Sequence, residues 1–309
     1  MRFFCGRSHP ELGKEIATEL GIEAGKLYLS KFSCGEIYAR IEETIRGHDI
    51  YVLQSIGENP NDDYMELFII MDALKRSSAA SINVVIPHFG YARQDKKSAP
   101  REPISARLIA DLLTSVGLNR LIAMDLHADQ IQGFFNHPVD HLTAQPLFIE
   151  YFAKKQLPDL VVVAPDTGRA KFAKKLADKL NAELAIIHKT RPEHNVAEIV
   201  HIIGEVKNKT VLIVDDMVDT AGSVTSCLSA MRTMGCNKDI YLAATHAVFS
   251  GPAIDRLSNA GFKEVVVTNT IAIPEHKRFP GLVILSTGHL LAEVIKRNNN
   301  KQSISSLFL

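Results

Sequence analysis

The chain has 309 residues, 46% of them hydrophobic, and its 35 basic and 35 acidic side chains leave a formal net charge of zero. That length suggests about two domains with sizeable cores, and balanced charge argues against a general nucleic-acid or membrane-surface binder, which needs a basic excess. No stretch approaches the ~20 apolar residues of a membrane helix, and Cys5, Cys34, Cys227 and Cys236 show neither metal-ligand nor disulfide-framework spacing, which points to a reducing cytoplasm.

In chain order, the start from Met1 to Gly6 carries one basic residue and an apolar run too short for a signal peptide. Pro10 opens a helix that Gly21 closes, with Leu12, Ile16 and Leu20 along one face. Residues 50–53 and 82–86 are apolar runs that read as strands. Pro103 starts another helix, for which Ile104, Leu108, Ile109 and Leu112 are the expected core stripe. Strand-like runs follow at 121–124, 160–163, 184–187, 211–214, 241–244 and 264–267. Their alternation with helical patterns predicts an α/β fold with mostly parallel sheets. The polar run 296–301 reads as a surface turn before the tail.

The chain also repeats itself. Pro87, Gly90, Ala92, Arg93, Lys96 and Lys97 recur at the same spacing as Pro165, Gly168, Ala170, Lys171, Lys174 and Lys175, each set after a strand. Further on, the run 121–124 with Asp125 and Asp129 matches 211–214 with Asp215 and Asp219. Two matches in the same order predict two similar halves joined near Ala144 to Tyr151: a first domain over 1–145, a second over 146–297, and a tail, 298–309, packing back on the first. The basic clusters at Arg93–Arg101 and Lys171–Lys175 suit small polyanionic ligands, although most of these lysines read as solvated faces.

The most informative stretch is 211–223. An apolar strand runs into Asp215 and Asp216, and a tight loop of Asp219, Thr220, Ala221, Gly222 and Ser223 leads to a helix carrying Cys227, Leu228, Met231 and Met234. Open α/β sheets bind ligands beyond the carboxyl ends of their strands. A close-approach glycine, two hydroxyls and the free N–H groups of a new helix suit a phosphate. The carboxylates repel a phosphate and suit hydroxyls instead, so the stretch reads as a grip for a phosphorylated sugar.

This loop resembles the phosphoribosyl diphosphate (PRPP) loop of phosphoribosyltransferases and PRPP synthetases. The runs 87–97, 124–135, 249–254 and 265–270 extend the likeness from Phe4 to Phe308 and are similar to the ribose-phosphate diphosphokinase family. The resemblance implies two phosphoribosyltransferase-like domains, Mg²⁺, ATP and ribose 5-phosphate as ligands, PRPP and AMP as products, and a cytoplasmic homo-oligomer, a hexamer, without nucleic-acid or membrane partners. It assigns catalysis to Lys189 and Arg191, on a loop that closes over the transferring group. Phe32, Glu36, Arg93, Gln94 and His127 are implied to contact ATP, with Asp95 and Lys96 as further candidates. Asp215, Asp216, Asp219, Thr220, Ala221, Gly222 and Ser223 are implied to hold ribose 5-phosphate. His127 and Asp166 would take the metal or its diphosphate; a magnesium ion prefers oxygen, so His127 is equally a phosphate donor. Thr44, Arg46, Ser78, Ser303, Ser305 and Phe308 match a site for phosphate activation and ADP inhibition. The chain departs from the family's usual pattern at Cys34, where Asp or Asn is usual, and at Arg169, where Gly is common. Arg169 reads as a phosphate contact or as a surface charge. Two other readings share parts of this pattern. A PRPP-consuming phosphoribosyltransferase needs neither the ATP segment nor the second half, and an inactive regulatory subunit should lack His127, Lys189 or Arg191.

Overall fold

The structure, a computed structural model, describes residues 1–190 and 199–308. Its contacts divide the chain into one unit of Met1–Thr143, Thr270–Ala272 and Ser286–Leu309 and another of Ala144–Asn269 and Ile273–Leu285.

The first unit runs β1 (Arg2–Cys5), α1 (Pro10–Leu20), the antiparallel hairpin β2 (Leu27–Lys31) and β3 (Ile37–Ile41), then β4 (Asp49–Leu53), α2 (Pro60–Arg76), β5 (Ser81–Ile86), α3 (Ser105–Ser115), β6 (Arg120–Met124) and β7 (Val139–Leu142). Its main sheet has the order β1-β4-β5-β6-β7, and every pairing is parallel. Central strands such as β5 are buried along nearly their whole length, which is why they read as continuous apolar runs rather than alternating ones. α1 forms as expected: Leu12, Ile16 and Leu20 are buried, and Gly21 caps the helix in the left-handed region at φ 68°.

The second unit runs α4 (Gln145–Lys155), β8 (Leu160–Ala164), α5 (Ala170–Leu180), β9 (Glu183–Thr190), β10 (Ile199–Ile203), β11 (Thr210–Val218), α6 (Gly222–Thr233), β12 (Ile240–Ala247), α7 (Ala253–Ala260), β13 (Glu264–Thr268) and β14 (Leu282–Leu285). Its sheet order is β10-β9-β8-β11-β12-β13-β14, parallel except for the β9–β10 pair. The chain then returns to the first unit as α8 (Gly288–Asn299), which packs on α1. Gly288 makes this approach feasible, because a Cβ there would lie 2.9 Å from the Cβ of Glu15. Ser286 donates to Glu15, and His289 lies 2.9 Å from Glu19.

Three sequence expectations are corrected. α3 starts at Ser105 and buries Ala106, Ile109, Ala110 and Leu113, whereas Leu108 and Leu112 are 56% and 39% exposed. Two apolar stripes share this helix, and periodicity alone does not say which one meets the sheet. The run 296–301 is mostly the end of α8 rather than a separate turn; Lys296 and Arg297 suit the negative end of a helix dipole. β11 continues past Val214 to Val218, because β12 is long enough to pair with it at Asp215–Ala244 and Val218–Ala247. None of the four cysteines is in a disulfide.

Candidate active site

β8 and β11 are parallel neighbours in the second unit. Past the end of β8, Asp166 exposes its carboxylate and accepts the Arg169 N–H at 3.1 Å through Oδ1. Arg169 then turns its side chain to β11. Its Nη2 lies 2.9 Å from Asp216 Oδ2, and its Nε lies 3.7 Å from Asp215 Oδ1. The Arg169 side chain is 16% exposed and that of Asp216 is 4% exposed. Arg169 is therefore not a solvated surface charge: its guanidinium is engaged with the carboxylate pair. The Asp216 N–H donates to Asp215 Oδ1 at 2.8 Å. Burial and the neighbouring Asp216 carboxylate push Asp215 well above the ordinary carboxylate range, and the Arg169 charge opposes that shift.

Beyond Val218 the chain turns through Asp219, Thr220 and Ala221 into α6. Ala221, not Gly222, takes the left-handed conformation, at φ 61° and ψ 5°. An alanine there costs roughly 1–2 kcal/mol, the kind of strain that collects at binding loops. A Cβ on Gly222 would come 3.3 Å from Arg256 Nη1, so this glycine leaves room for the arginine. Arg256, on α7, donates to the Thr220 carbonyl at 2.9 Å. Ser250 donates to the Asp219 carboxylate, while the main-chain N–H groups of Phe249 and Ser250 reach the carbonyls of Val218 and Asp219, both at 3.0 Å. The loop is thus fastened from two sides, with Thr220 and Ser223 exposed. The first N–H groups of α6 have no partner within the helix by geometry, and together with the helix dipole such groups suit an anion.

Lys189 lies in β9, its backbone opposite Val200. Its side chain, and the whole of Arg191, lie outside the described residues.

In the first unit the equivalent neighbours are β5 and β6. Past β5, Arg93, Gln94 and Lys96 are exposed, while Asp95 is buried and accepts from the Gln130 amide. Gln94 accepts from Ser105 Oγ at 2.5 Å. Past β6, His127 is half-buried. This groups Arg93, Gln94 and Asp95 with the segment that follows His127. Phe32 and Glu36 lie at the turn of the hairpin, where the Phe32 N–H donates to the Glu36 carbonyl at 2.9 Å. Phe32 is 56% exposed and meets Tyr38 edge-on at 5.9 Å. Thr44 and Arg46 are exposed, and the adjoining Gly47 N–H donates to the Ser78 carbonyl at 2.9 Å, so that turn and Ser78 come together. Ser303 accepts from Arg297 through its carbonyl at 3.2 Å; Ser305 is exposed and Phe308 half-buried. Among the described residues, no cluster of three or more His, Cys, Asp or Glu could hold a metal.

Residues 1–117 match the model for the N-terminal domain of ribose phosphate pyrophosphokinase, and residues 193–309 match the phosphoribosyl synthetase-associated domain. A ribose-phosphate pyrophosphokinase of Fusobacterium nucleatum is 50% identical over 310 residues, covering 100% of this chain and 98% of its own. One of Bacillus subtilis is 50% identical over 308 residues, covering 100% and 97%. The crystal structure of phosphoribosylpyrophosphate synthetase from Mycobacterium smegmatis superposes with a TM-score of 0.92 at 46% identity, covering 97% of this chain and 99% of that one. The chain belongs to the ribose-phosphate pyrophosphokinase family. Its fold and its class of chemistry, diphosphoryl transfer, are those of the family.

Three roles in the site carry no clear sequence signal: Arg169 at the carboxylates, Ser250 at Asp219 and Arg256 at Thr220. The 249–254 run marks Ser250 as unusual without saying what it touches. The repeat places Arg169 at a strand end, but not its direction. Arg256 carries no sequence signal, since an arginine on an amphipathic helix reads as a solvated charge.

Proposed function

We propose that this chain transfers the β,γ-diphosphoryl group of ATP to the C1 hydroxyl of ribose 5-phosphate, giving PRPP and AMP. The observation that carries the reading is the end of β11. Two adjacent carboxylates there sit one short loop before the N-terminus of a full helix. Carboxylates accept from sugar hydroxyls, and helix N–H groups with the Thr220 and Ser223 hydroxyls receive the 5-phosphate.

In the reaction the C1 oxygen attacks the β-phosphorus, the bond from that phosphorus to the α-phosphate bridging oxygen breaks, AMP leaves, and the hydroxyl proton is lost. Such transfer depends on in-line positioning and on offsetting charge. Arg93 and Gln94 hold the ATP phosphates, Phe32 and Glu36 contact the adenine, and His127 hydrogen-bonds the transferring group. Lys189 and Arg191 bring positive charge where it builds up in the transition state. Asp166 fits magnesium: it is an exposed oxygen donor at a strand end, and Mg²⁺ prefers one or two carboxylates together with waters and substrate phosphates. That ion would supply charge neutralisation for the diphosphate. The working form is a cytoplasmic hexamer, activated by phosphate and inhibited by ADP at the Thr44, Arg46, Ser78, Ser303, Ser305 and Phe308 site.

The test is to incubate the protein with ATP, Mg²⁺ and ribose 5-phosphate and to assay AMP. AMP should form only when the sugar phosphate is present. Equal AMP without it, or ADP as the sole product, would rule out the diphosphoryl transfer.

A further inference from the structure

We propose that Arg169 is a positioning residue for the sugar. Its main chain holds the carboxylate past β8, its guanidinium holds the carboxylates of β11, and it thereby sets the distance between the two. The inference rests on the reading of Asp215 and Asp216 as the acceptors of ribose hydroxyls.

Two adjacent carboxylates this well enclosed repel one another, and burial penalises their charge. Arg169 sets a cation against them, with Nη2 2.9 Å from Asp216 Oδ2 and Nε 3.7 Å from Asp215 Oδ1. A planar guanidinium also fixes direction, which an ammonium does not. It holds Asp216 in one orientation, so the pair meets an incoming diol already arranged. The same residue donates its N–H to Asp166 Oδ1 at 3.1 Å. Asp166 follows β8 and the pair lies in β11, and these strands are neighbours. Arg169 thus ties the carboxylate offered to the diphosphate end to those offered to the sugar end.

The repeat sets a different side chain on a different backbone at the matching position, with φ −94° at Arg169 and φ 63° at its counterpart. The matching residue of the first unit is Tyr91, whose hydroxyl donates to Asn61 on α2. The link to the neighbouring strand is thus made in the second copy by arginine and its turn together.

Steady-state kinetics on Arg169→Gln, Arg169→Lys and Asp216→Ala test the proposal, with melting temperatures confirming the fold. Glutamine keeps a donor amide and loses the charge; lysine keeps the charge and loses the fork. Arg169→Gln should raise KM for ribose 5-phosphate about tenfold, the lower end for a charge-assisted hydrogen bond. Its KM for ATP should change by no more than about twofold, because the guanidinium is engaged on the sugar side. Arg169→Lys should fall between wild type and Arg169→Gln. If Arg169→Gln fails to fold, an unchanged sugar KM in Arg169→Lys overturns the proposal. An unchanged sugar KM in Arg169→Gln, or an equal rise for ATP, also overturns it, provided that Asp216→Ala still weakens ribose 5-phosphate. If Asp216→Ala leaves ribose 5-phosphate unaffected, the reading of the carboxylates fails, and this inference fails with it.

Discussion

The β5–β6 pair of the first unit and the β8–β11 pair of the second are built on the same sequence plan and finished differently. In the first copy the turn past β5 is knitted into its own unit. Tyr91 takes φ 63°, and the Tyr64 hydroxyl donates to the Gly90 carbonyl at 3.0 Å. In the second copy the matching turn exposes Asp166 and sends Arg169 to the next strand. The segments that follow also diverge. β6 leads into a 3-10 turn, Asp129–Phe134, whereas β11 leads into the 12-residue α6. Only the second copy combines enclosed carboxylates with the N-terminus of a full α-helix. A strand pair supplies positions, and the segments after it decide whether those positions grip a sugar phosphate or, as proposed for the first unit, a nucleotide.

The comparison can be broken most forcefully at Lys189, the residue of β9 assigned to the chemistry. Lys189→Ala should lower kcat roughly 10²–10³-fold, the scale of one preorganised charge-stabilising donor. KM for both substrates should move far less. An unchanged kcat would take the reaction away from this edge of the second unit.

The division of labour between the copies is sharpened by a crossed pair of substitutions. Asp216→Ala should weaken ribose 5-phosphate by roughly ten- to hundredfold, the worth of a charged hydrogen bond, with a much smaller effect on ATP. Arg93→Ala should reverse the preference, weakening ATP by about tenfold or more through lost phosphate contacts. Titration of each ligand against each variant decides the matter. Two variants that weaken the same ligand would show that the copies do not divide the substrates.

The smallest effect is expected at Arg46, in a turn remote in sequence from both strand pairs. Arg46 is exposed, so Arg46→Ala should change stability by no more than about 0.5 kcal/mol. It should abolish activation by inorganic phosphate and leave the basal rate intact. A phosphate titration of the wild-type enzyme that stays flat would remove the regulatory site and leave the strand-end comparison standing.

The sequence by itself determined the alternation of strands and helices, the repeat, and the loop at 215–223. These are local signals: buried parallel strands read as apolar runs, and a helix start carries its small and hydroxyl residues in order. α1 was legible down to its buried face and its Gly21 cap, because the residues that form it are contiguous. Tertiary structure decided what local pattern left open. It chose the Leu113 face of α3 over the equally apolar Leu108 face, since only the sheet says which side is inward. It extended β11 to Val218 through pairing with β12, and it brought α8 onto α1 from the far end of the chain. It set the left-handed residue of the loop at Ala221, beside the Thr220 carbonyl that is anchored by Arg256, 36 positions away. Above all it gave Arg169 its direction. A guanidinium on a turn can serve solvent, a phosphate or a carboxylate; burial beside Asp216 selects the last, because an enclosed charge must find its counter-charge.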